Sequence, residues 1–188
     1  SFGEWRLMPD DTTNEAAEAE ASAAREAAVS ADDIVSDTAL AALAAELEVA
    51  PDGKTITARI DREGYLEFMS AARDAGFDMF VDLCGVDYFR RRPRYEVVVI
   101  VFALEQRRRL KVKVGVPGDE PAIDSLTSLW PGANFYEREA YDMFGIHFLG
   151  HRDLTRILLP DDWEGHPLRK DYAVGSVPVQ FKGAHQTP

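Results

Sequence analysis

YEVVVIVFALEQRRRLKVKVGV, residues 95–116, predicts a β-hairpin at the centre of a sheet. Apart from Glu96, the first half is a continuous β-branched and apolar run up to Leu104, which is typical of a strand buried on both faces. After a polar turn over 105–108, the second half alternates apolar with basic residues: Leu110, Val112, Val114 and Val116 with Arg109, Lys111 and Lys113. A period of two predicts a half-buried strand, and the short turn predicts antiparallel pairing. We expect the basic side of this strand to be solvated.

Helical and extended patterns alternate on both sides of the hairpin. We therefore predict an α+β fold, a single domain with an antiparallel or mixed sheet packed by helices. The elements predicted before the hairpin are an amphipathic helix over 38–48, a strand over 55–60, a helix that begins after Asp61 and ends at Gly76, and a strand over 77–83.

After the hairpin we predict a short helix that Pro121 opens, with Ile123, Leu126 and Leu129 as its apolar side. A longer helix is predicted from Asn134 to Tyr141 or Asp142. Asn134 is its expected cap, and Glu137 completes a capping-box pattern. Its core stripe is predicted to be Ala133, Tyr136, Ala140 and Met143, and its surface Glu137, Arg138, Glu139 and Asp142. Arg138 and Asp142 are expected to pair across one turn.

The predicted domain, residues 38–156, has a tail on each side. Residues 1–48 hold 12 Asp and Glu against Arg6 and Arg25, which leaves 21 acids and 19 bases in the other 140 residues. Residues 1–37 are therefore predicted to be an acidic Ala/Glu-rich tail, disordered or loosely helical. The nearly neutral remainder lacks the basic footprint that binds nucleic acid.

Residues 157–188 are predicted to form an extended arm, because prolines and glycines recur too often for regular structure. The arm nevertheless carries many large apolar side chains: Trp163, Leu168, Tyr172, Val174, Val177, Val179 and Phe181. We expect it to bury them on a neighbouring protein, or alternatively on its own domain.

Several kinds of site are not expected in this chain. The lone Cys84 cannot hold an iron–sulfur cluster, and we expect it to be a small buried hydrophobe. His147 and His151 lie in a stretch that looks extended, where four residues separate two imidazoles too far for one metal ion. We expect these two and His166 to form structural hydrogen bonds. The sequence has no phosphate-binding loop and no apolar run of membrane-spanning length.

Two stretches carry a resemblance to a known family. The first, GANFYEREAYDMFGIHF, resembles the pattern E-R-E-x-x-D-[LM]-[FL]-G-[IV]-x-F. The second, GHRDLTRILLPDDWEGHPLRKDY at 150–172, ends at 165–172 in a match to G-H-P-L-R-K-D-[YF]. Both are similar to the signature of the thirty-kilodalton subunit, or C subunit, of NADH-quinone oxidoreductase, respiratory complex I. Arg152, which follows Gly150 and His151, departs from the family, which usually has proline after this first Gly-His.

The resemblance implies a peripheral-arm subunit on the cytoplasmic side of the inner (plasma) membrane, which touches the membrane only through partners. Its neighbours would be other complex I subunits, especially the quinone-site chain of the D type. FMN, the iron–sulfur clusters and quinone would reside in those partners, with no cofactor, metal or catalytic residue in this chain. We expect the partner interface to draw on Glu137, Arg138, Glu139, Asp142, His166, Leu168, Arg169, Lys170, Asp171 and Tyr172.

Three other functions stay open at this point. An equivalent subunit of a membrane-bound hydrogenase or a deazaflavin-linked complex is the nearest alternative. A free-standing scaffold protein is the second. A hydrolase that uses Glu139 and Asp142 as paired carboxylates is the third, and it lacks a nucleophile in the local sequence.

Overall fold

The computed structural model describes residues 38–173, so the predicted acidic tail, residues 1–37, lies outside the described residues. In chain order the elements are helix α1 over residues 38–43, β1 (Glu46–Val49), β2 (Thr55–Ile60), a 3-10 turn (Arg62–Gly64), α2 (Tyr65–Asp74), β3 (Met79–Asp87), β4 (Tyr95–Ala103), β5 (Arg108–Val116), β6 (Ala122–Asp124), α3 (Ala133–Phe144) and β7 (His147–Leu149).

Five strands form one mixed sheet in the order β1-β2-β5-β4-β3. The predicted hairpin lies in it, with Tyr95 opposite Val116 and Ala103 opposite Arg108. Strands β2 and β5 pair in parallel, whereas all other neighbours in this sheet are antiparallel. The α+β prediction with a mixed sheet is therefore confirmed.

A single core lies between one face of this sheet and the helices. The predicted stripe of α2 is buried there in full: Tyr65, Phe68, Met69 and Ala72. It packs with the inward side chains of the hairpin, which include Val97, Val99, Leu110 and Val112. Gly76 ends α2 as predicted, with φ +96° and its N–H donated to the carbonyl of Arg73.

Three local predictions before and after the hairpin were wrong. Helix α1 stops at residue 43, and Leu47 lies in β1, where antiparallel pairing with β2 across the 51–53 turn satisfies the backbone groups. Asp61 makes no side-chain cap hydrogen bond, since a 3-10 turn separates it from α2. Ile123 lies in strand β6 rather than a helix, because β6 pairs in parallel with β7.

Cys84 is exposed, so the prediction that it is buried was wrong. A β-bulge between Phe80 and Asp82 inserts Val81 as an extra residue in β3. The bulge reverses the alternation that the sequence suggests, so that Met79 and Val81 face solvent while Leu83 remains buried. Cys84 then lies on the sheet face that looks away from the core.

Gly85 in β3 lets the end of α3 approach the sheet closely. A Cβ atom at this position would lie 2.8 Å from Cδ2 of Phe144 and 3.3 Å from Cδ1 of Ile146. Both neighbours pack against the core, so neither can move away freely.

We predict that Gly85→Val lowers the free energy of unfolding by roughly 1–3 kcal/mol, because the added side chain overpacks this contact. Urea unfolding of the full chain measures the change. Cys84→Val is the matched control, since it places the same side chain on the exposed face and is expected to stay within about 0.5 kcal/mol. Equal losses in the two variants would contradict this account of Gly85.

Candidate functional site

The candidate site comprises helix α3 and the part of the arm that follows it. The helix begins at Ala133 after Gly132, with no side-chain cap hydrogen bond, so the capping box predicted for Asn134 and Glu137 was wrong. Ala133, Ala140 and Met143 are buried as predicted.

Glu137 is fully buried, although the sequence suggested that it lies on the surface. Its carboxylate accepts hydrogen bonds from the Ser125 hydroxyl at 2.7 Å and from the Leu126 N–H at 2.6 Å. Both donors belong to the loop after β6, so the side chain ties this loop to α3. Burial raises the pKa of Glu137 to about 7, against the lowering effect of the two hydrogen bonds.

Asp142 is also fully buried, contrary to prediction. It accepts a hydrogen bond from Nη1 of Arg156 at 2.6 Å, and its other oxygen accepts the backbone N–H groups of residues 157, 158 and 159 at 3.1, 2.9 and 2.9 Å. Burial raises the pKa of this carboxyl, but these donors more than offset it and hold the pKa below its usual value. A turn of the arm is therefore built around one carboxylate.

Arg138 does not pair with Asp142, so that prediction was wrong. Its guanidinium donates instead to the carbonyls of Thr155 at 3.1 Å and Arg156 at 2.9 Å. The distant Arg156 takes the place beside Asp142, because the arm returns to the helix. Glu139, the other half of the suggested carboxylate pair, is exposed.

The last four carbonyls of α3 are all satisfied, three of them by residues 165–172, which we call the cap segment. Gly145 N–H donates to the carbonyl of Tyr141 at 2.8 Å. The next three carbonyls accept from the cap segment in chain order: Asp142 from His166 Nδ1 at 2.9 Å, Met143 from the Leu168 N–H at 3.1 Å, and Phe144 from Arg169 Nε at 2.5 Å. The Arg169 cation thus lies at the negative end of the helix dipole.

Gly145 makes this approach possible. It has φ +70°, which favours glycine, and a Cβ atom there would lie 2.6 Å from Nε2 of His166 and would also collide with Arg169. The glycine of the first motif and the His-Pro-Leu-Arg of the second therefore meet at one point.

Arg94 links the cap segment to the sheet. It binds Asp87 through Nε and Nη2 at 3.0 and 2.8 Å, and Asp171 through Nη1 and Nη2 at 3.0 and 2.8 Å. Asp87 also accepts the Lys170 N–H at 2.8 Å. The hydrogen bonds from Arg94 lower the pKa of Asp87 to about 2, and Asp87 and Asp171 together raise the pKa of Arg94.

Arg94 and Arg156 are among the site residues that the sequence analysis missed, as are Asp87 and Ser125. Arg94 lies in a run of arginines, and Arg156 lies between the two matched patterns, so no local spacing distinguishes either of them. The useful signal was the buried position of their partners, Asp87 and Asp142, which a sequence alone does not reveal.

The histidines have different surroundings. His166 donates to the carbonyl of Asp142, and burial lowers its pKa. His151 Nδ1 accepts the Asp153 N–H at 3.1 Å, whereas the His147 ring lies edge-on to Tyr141. Within residues 38–173, no group of three or more His, Cys, Asp or Glu side chains could hold a metal ion.

The arm lies on its own domain as far as residue 173, yet it exposes large apolar side chains. Leu158 is 60% exposed and Leu168 is 53% exposed, with Ile157 next to Leu158 in the chain at 37%. Lys170 and Asp171 are also exposed, and Tyr172 is half-buried with its hydroxyl 3.4 Å from the carbonyl of Glu164. The remaining apolar residues of the arm, from Val174 onward, lie outside the described residues.

The part of the chain that contains the candidate site matches known proteins. Residues 58–177 fit the family model of the respiratory-chain NADH dehydrogenase, 30 kDa subunit. The chain is 57% identical over 100 residues to the NADH-quinone oxidoreductase C subunit of Roseiflexus castenholzii, which covers 53% of this chain and 58% of that protein. It is 42% identical over 141 residues to the C subunit of Acidothermus cellulolyticus, which covers 73% of each. The chain spans about three fifths of the length of the Roseiflexus relatives.

Among the solved structures that are similar to this chain are the following two. One is a trypsin-resistant fragment of Nqo5, with a TM-score of 0.57 and 34% identity over 65% of this chain and 98% of the fragment. The other is from the membrane-bound sulfane sulfur reductase, an archaeal respiratory membrane complex, with a TM-score of 0.68 over 77% of this chain and 86% of that one. At 23% identity, this second likeness shows the fold alone.

We predict that Asp142→Asn lowers the free energy of unfolding by roughly 3–5 kcal/mol, because it removes the buried negative charge that Arg156 and three backbone N–H groups bind. Urea unfolding and proteolysis of the turn at 156–159 measure the loss. Glu139→Gln on the same helix is the control, with an expected change within about 0.5 kcal/mol. An Asp142→Asn protein as stable and as protease-resistant as the control would rule out the turn-forming role.

The raised pKa of Glu137 predicts that the stability of the protein falls as pH rises, which is the opposite of ordinary acid denaturation. Its pKa is raised from 4.5 to about 7 in the folded protein, so the unfolded chain releases this proton at lower pH and stability falls as pH rises between those values. At about 1.4 kcal/mol per pKa unit, the native chain is expected to lose roughly 3 kcal/mol relative to Glu137→Gln across that window. Parallel stability curves for the two proteins between about pH 4 and pH 8 would contradict this.

Proposed function

We propose, because this chain belongs to the family of the 30 kDa subunit of the respiratory-chain NADH dehydrogenase, that it is the C subunit of a proton-translocating NADH:quinone oxidoreductase. In this role it occupies the peripheral arm of the enzyme, on the cytoplasmic side of the membrane. Within residues 38–173, no helix is long and apolar enough to cross a membrane. We propose that partner subunits make the membrane contact.

The role proposed within the enzyme is structural. The chain supports assembly beside the quinone-site chain of the D type, and holds no redox centre. NADH, FMN, the iron–sulfur clusters and quinone belong to partners. Support comes from the use of the charged motif residues: Glu137, Asp142 and Arg169 direct their polar atoms at their own domain rather than at an open cleft.

The observation that carries the proposal is that the backbone of the arm is held by many hydrogen bonds while its leucines are exposed. Asp142 and the α3 carbonyls fix the backbone of the arm, while Leu158 and Leu168 point outward. A rigid backbone that displays large apolar side chains loses little conformational entropy on binding, which favours association. We propose that these leucines fill apolar pockets on the neighbouring protein, with Lys170 and Glu139 at the rim.

Purification tests the identity of the assembly. The tagged full chain is recovered from detergent-solubilised membranes of its own organism, and the native mass and activity of the assembly are measured. We expect a complex of many subunits that oxidises NADH with a quinone. A nickel-containing hydrogenase, a deazaflavin-linked complex or a soluble monomer would each overturn the proposal.

We predict that Leu158→Asp together with Leu168→Asp lowers the amount of assembled complex at least about tenfold, equivalent to about 1.4 kcal/mol or more of lost binding. The urea midpoint of the isolated chain is expected to be unchanged, because both side chains are exposed in it. Arg169→Ala is a poorer test, because its loss also uncaps α3.

Leu104→Asp is the matched control for this experiment. Leu104 is 66% exposed and lies in the β4–β5 turn, away from the arm, so its variant is expected to assemble normally. Equal assembly of the arm variant and the control would remove the arm from the interface.

A further inference from the structure

The outer face of the main sheet, which looks away from the core, carries basic and apolar side chains in a regular arrangement. Paired strands place side chains in rows across this face. Two such rows are Glu46, Arg59, Lys113, Val98 and Cys84, and then Glu48, Thr57, Lys111, Ile100 and Asp82. A third row holds Thr55, Arg109, Phe102 and Met79. Along the strands, these rows form a basic column on β5 (Arg109, Lys111 and Lys113) beside an apolar column on β4 (Val98, Ile100 and Phe102).

The apolar column does not belong to the core. Val98 is buried and Ile100 and Phe102 are half-buried, but none of the three is part of the core cluster. The helices pack on the opposite face, where Leu40 of α1, Phe68 of α2 and Ala140 of α3 contribute to the core. In the described part of the chain, no helix packs its apolar side chains on the outer face.

The basic column has charge to offer a ligand. Arg59, next to Lys113 on the neighbouring strand β2, is already paired with Glu46 at 3.2 Å and Glu96 at 3.3 Å. By contrast, within residues 38–173 neither Lys111 nor Lys113 forms an ion pair. Adjacent strands lie about 4.8 Å apart, so the cations and the apolar column can contact one ligand that has an acidic and an apolar side.

A segment of the same chain has this composition. Residues 11–29 contain five acids against Arg25, together with eight alanines, and the whole of 1–37 has ten acids against two arginines. Their alanine and glutamate content predicts helix. A helix of this length would span about 28 Å, close to the roughly 30 Å of the nine-residue strands β4 and β5.

The chain is also long enough to reach. The described part starts at Thr38, and β1, which follows α1, forms an edge of the same sheet. The eight residues between the segment and Thr38 extend up to about 26 Å. Because α1 packs on the core face, the linker must first pass from the helix layer around the β1 edge, about 10 Å. It then crosses three strand spacings to β4, about 14 Å, so the whole path stays within its reach.

We propose that residues 11–29 bind the outer face of the sheet of their own chain, with their acids on Lys111 and Lys113 and their alanines on Val98, Ile100 and Phe102. The tether keeps the effective concentration of the segment high, so weak contacts suffice. Exposed charges carry part of the binding, so the bound population falls as salt rises.

Zero-length carbodiimide cross-linking of the full chain, read by mass spectrometry, tests the contact. We expect Lys111 or Lys113 to join Glu15, Glu18, Glu20 or Glu26 in dilute protein, and the yield to fall severalfold when the salt is raised to about 0.5 M. Lys54 and Lys170, both exposed elsewhere, are internal controls and are expected to yield few such links.

Mixed light- and heavy-isotope chains identify the occupant. Links that join two different chains would replace the proposal with a second copy on this face. Links spread evenly over Lys54, Lys170 and the β5 lysines would overturn it in favour of non-specific attraction.

The thiol of Cys84, the only cysteine of the chain, gives a second readout because it lies in the Lys113 row. Changing Glu15, Glu18, Glu20 and Glu26 to Gln is expected to speed its labelling by a maleimide at least about threefold at low salt, since weaker charge attraction uncovers the face. Glu105→Gln with Glu120→Gln is the matched control and is expected to leave the rate unchanged. Equal rates in all three proteins would overturn the proposal even if the chain still assembles normally.

Discussion

The end of helix α3 sets a requirement that the rest of the site meets. A helix leaves its last four carbonyls without partners inside the helix, and burying them unpaired costs free energy. Gly145 turns the chain away, and His166, Leu168 and Arg169 return about twenty residues later to donate to three of those carbonyls. The two motifs are therefore two halves of one helix terminus, although they are separated in sequence.

Buried carboxylates extend the same logic around the helix. Asp142 organises the turn that starts the arm, Glu137 holds the loop before the helix, and Asp87 with Arg94 receives the far end of the cap segment. Each carboxylate accepts backbone N–H groups as well as a side-chain donor. Such groups resemble an active site in sequence because they are charged and clustered. In the folded domain their hydrogen bonds are directed inward, and apolar residues such as Leu158 and Leu168 face out.

Local patterns predicted the hairpin, helix α2 and the presence of α3, because periodicity and capping glycines act over a few residues. Helix α3 nevertheless extends to Phe144, beyond its predicted end at Tyr141 or Asp142. They did not predict β6, the shortened α1 or the bulge at Val81, which depend on pairing with distant strands. At the site, the motif residues were identified but their direction was not. Helical spacing does not tell whether Glu137 and Asp142 are buried or exposed. They are buried because Ser125 and Arg156, from elsewhere in the chain, supply hydrogen-bond partners. Whether the arm also contacts a partner stays a prediction.

The return of the cap segment has a consequence for synthesis. Chains emerge from the ribosome N-terminus first, at about 5–20 residues per second. Helix α3 therefore emerges before the residues that complete it, and its last carbonyls lack His166, Leu168 and Arg169 until residues 165–172 are made. A nascent or truncated chain would lack both the finished helix end and the displayed Leu168. The end of α3 is therefore completed only after translation has passed the second motif.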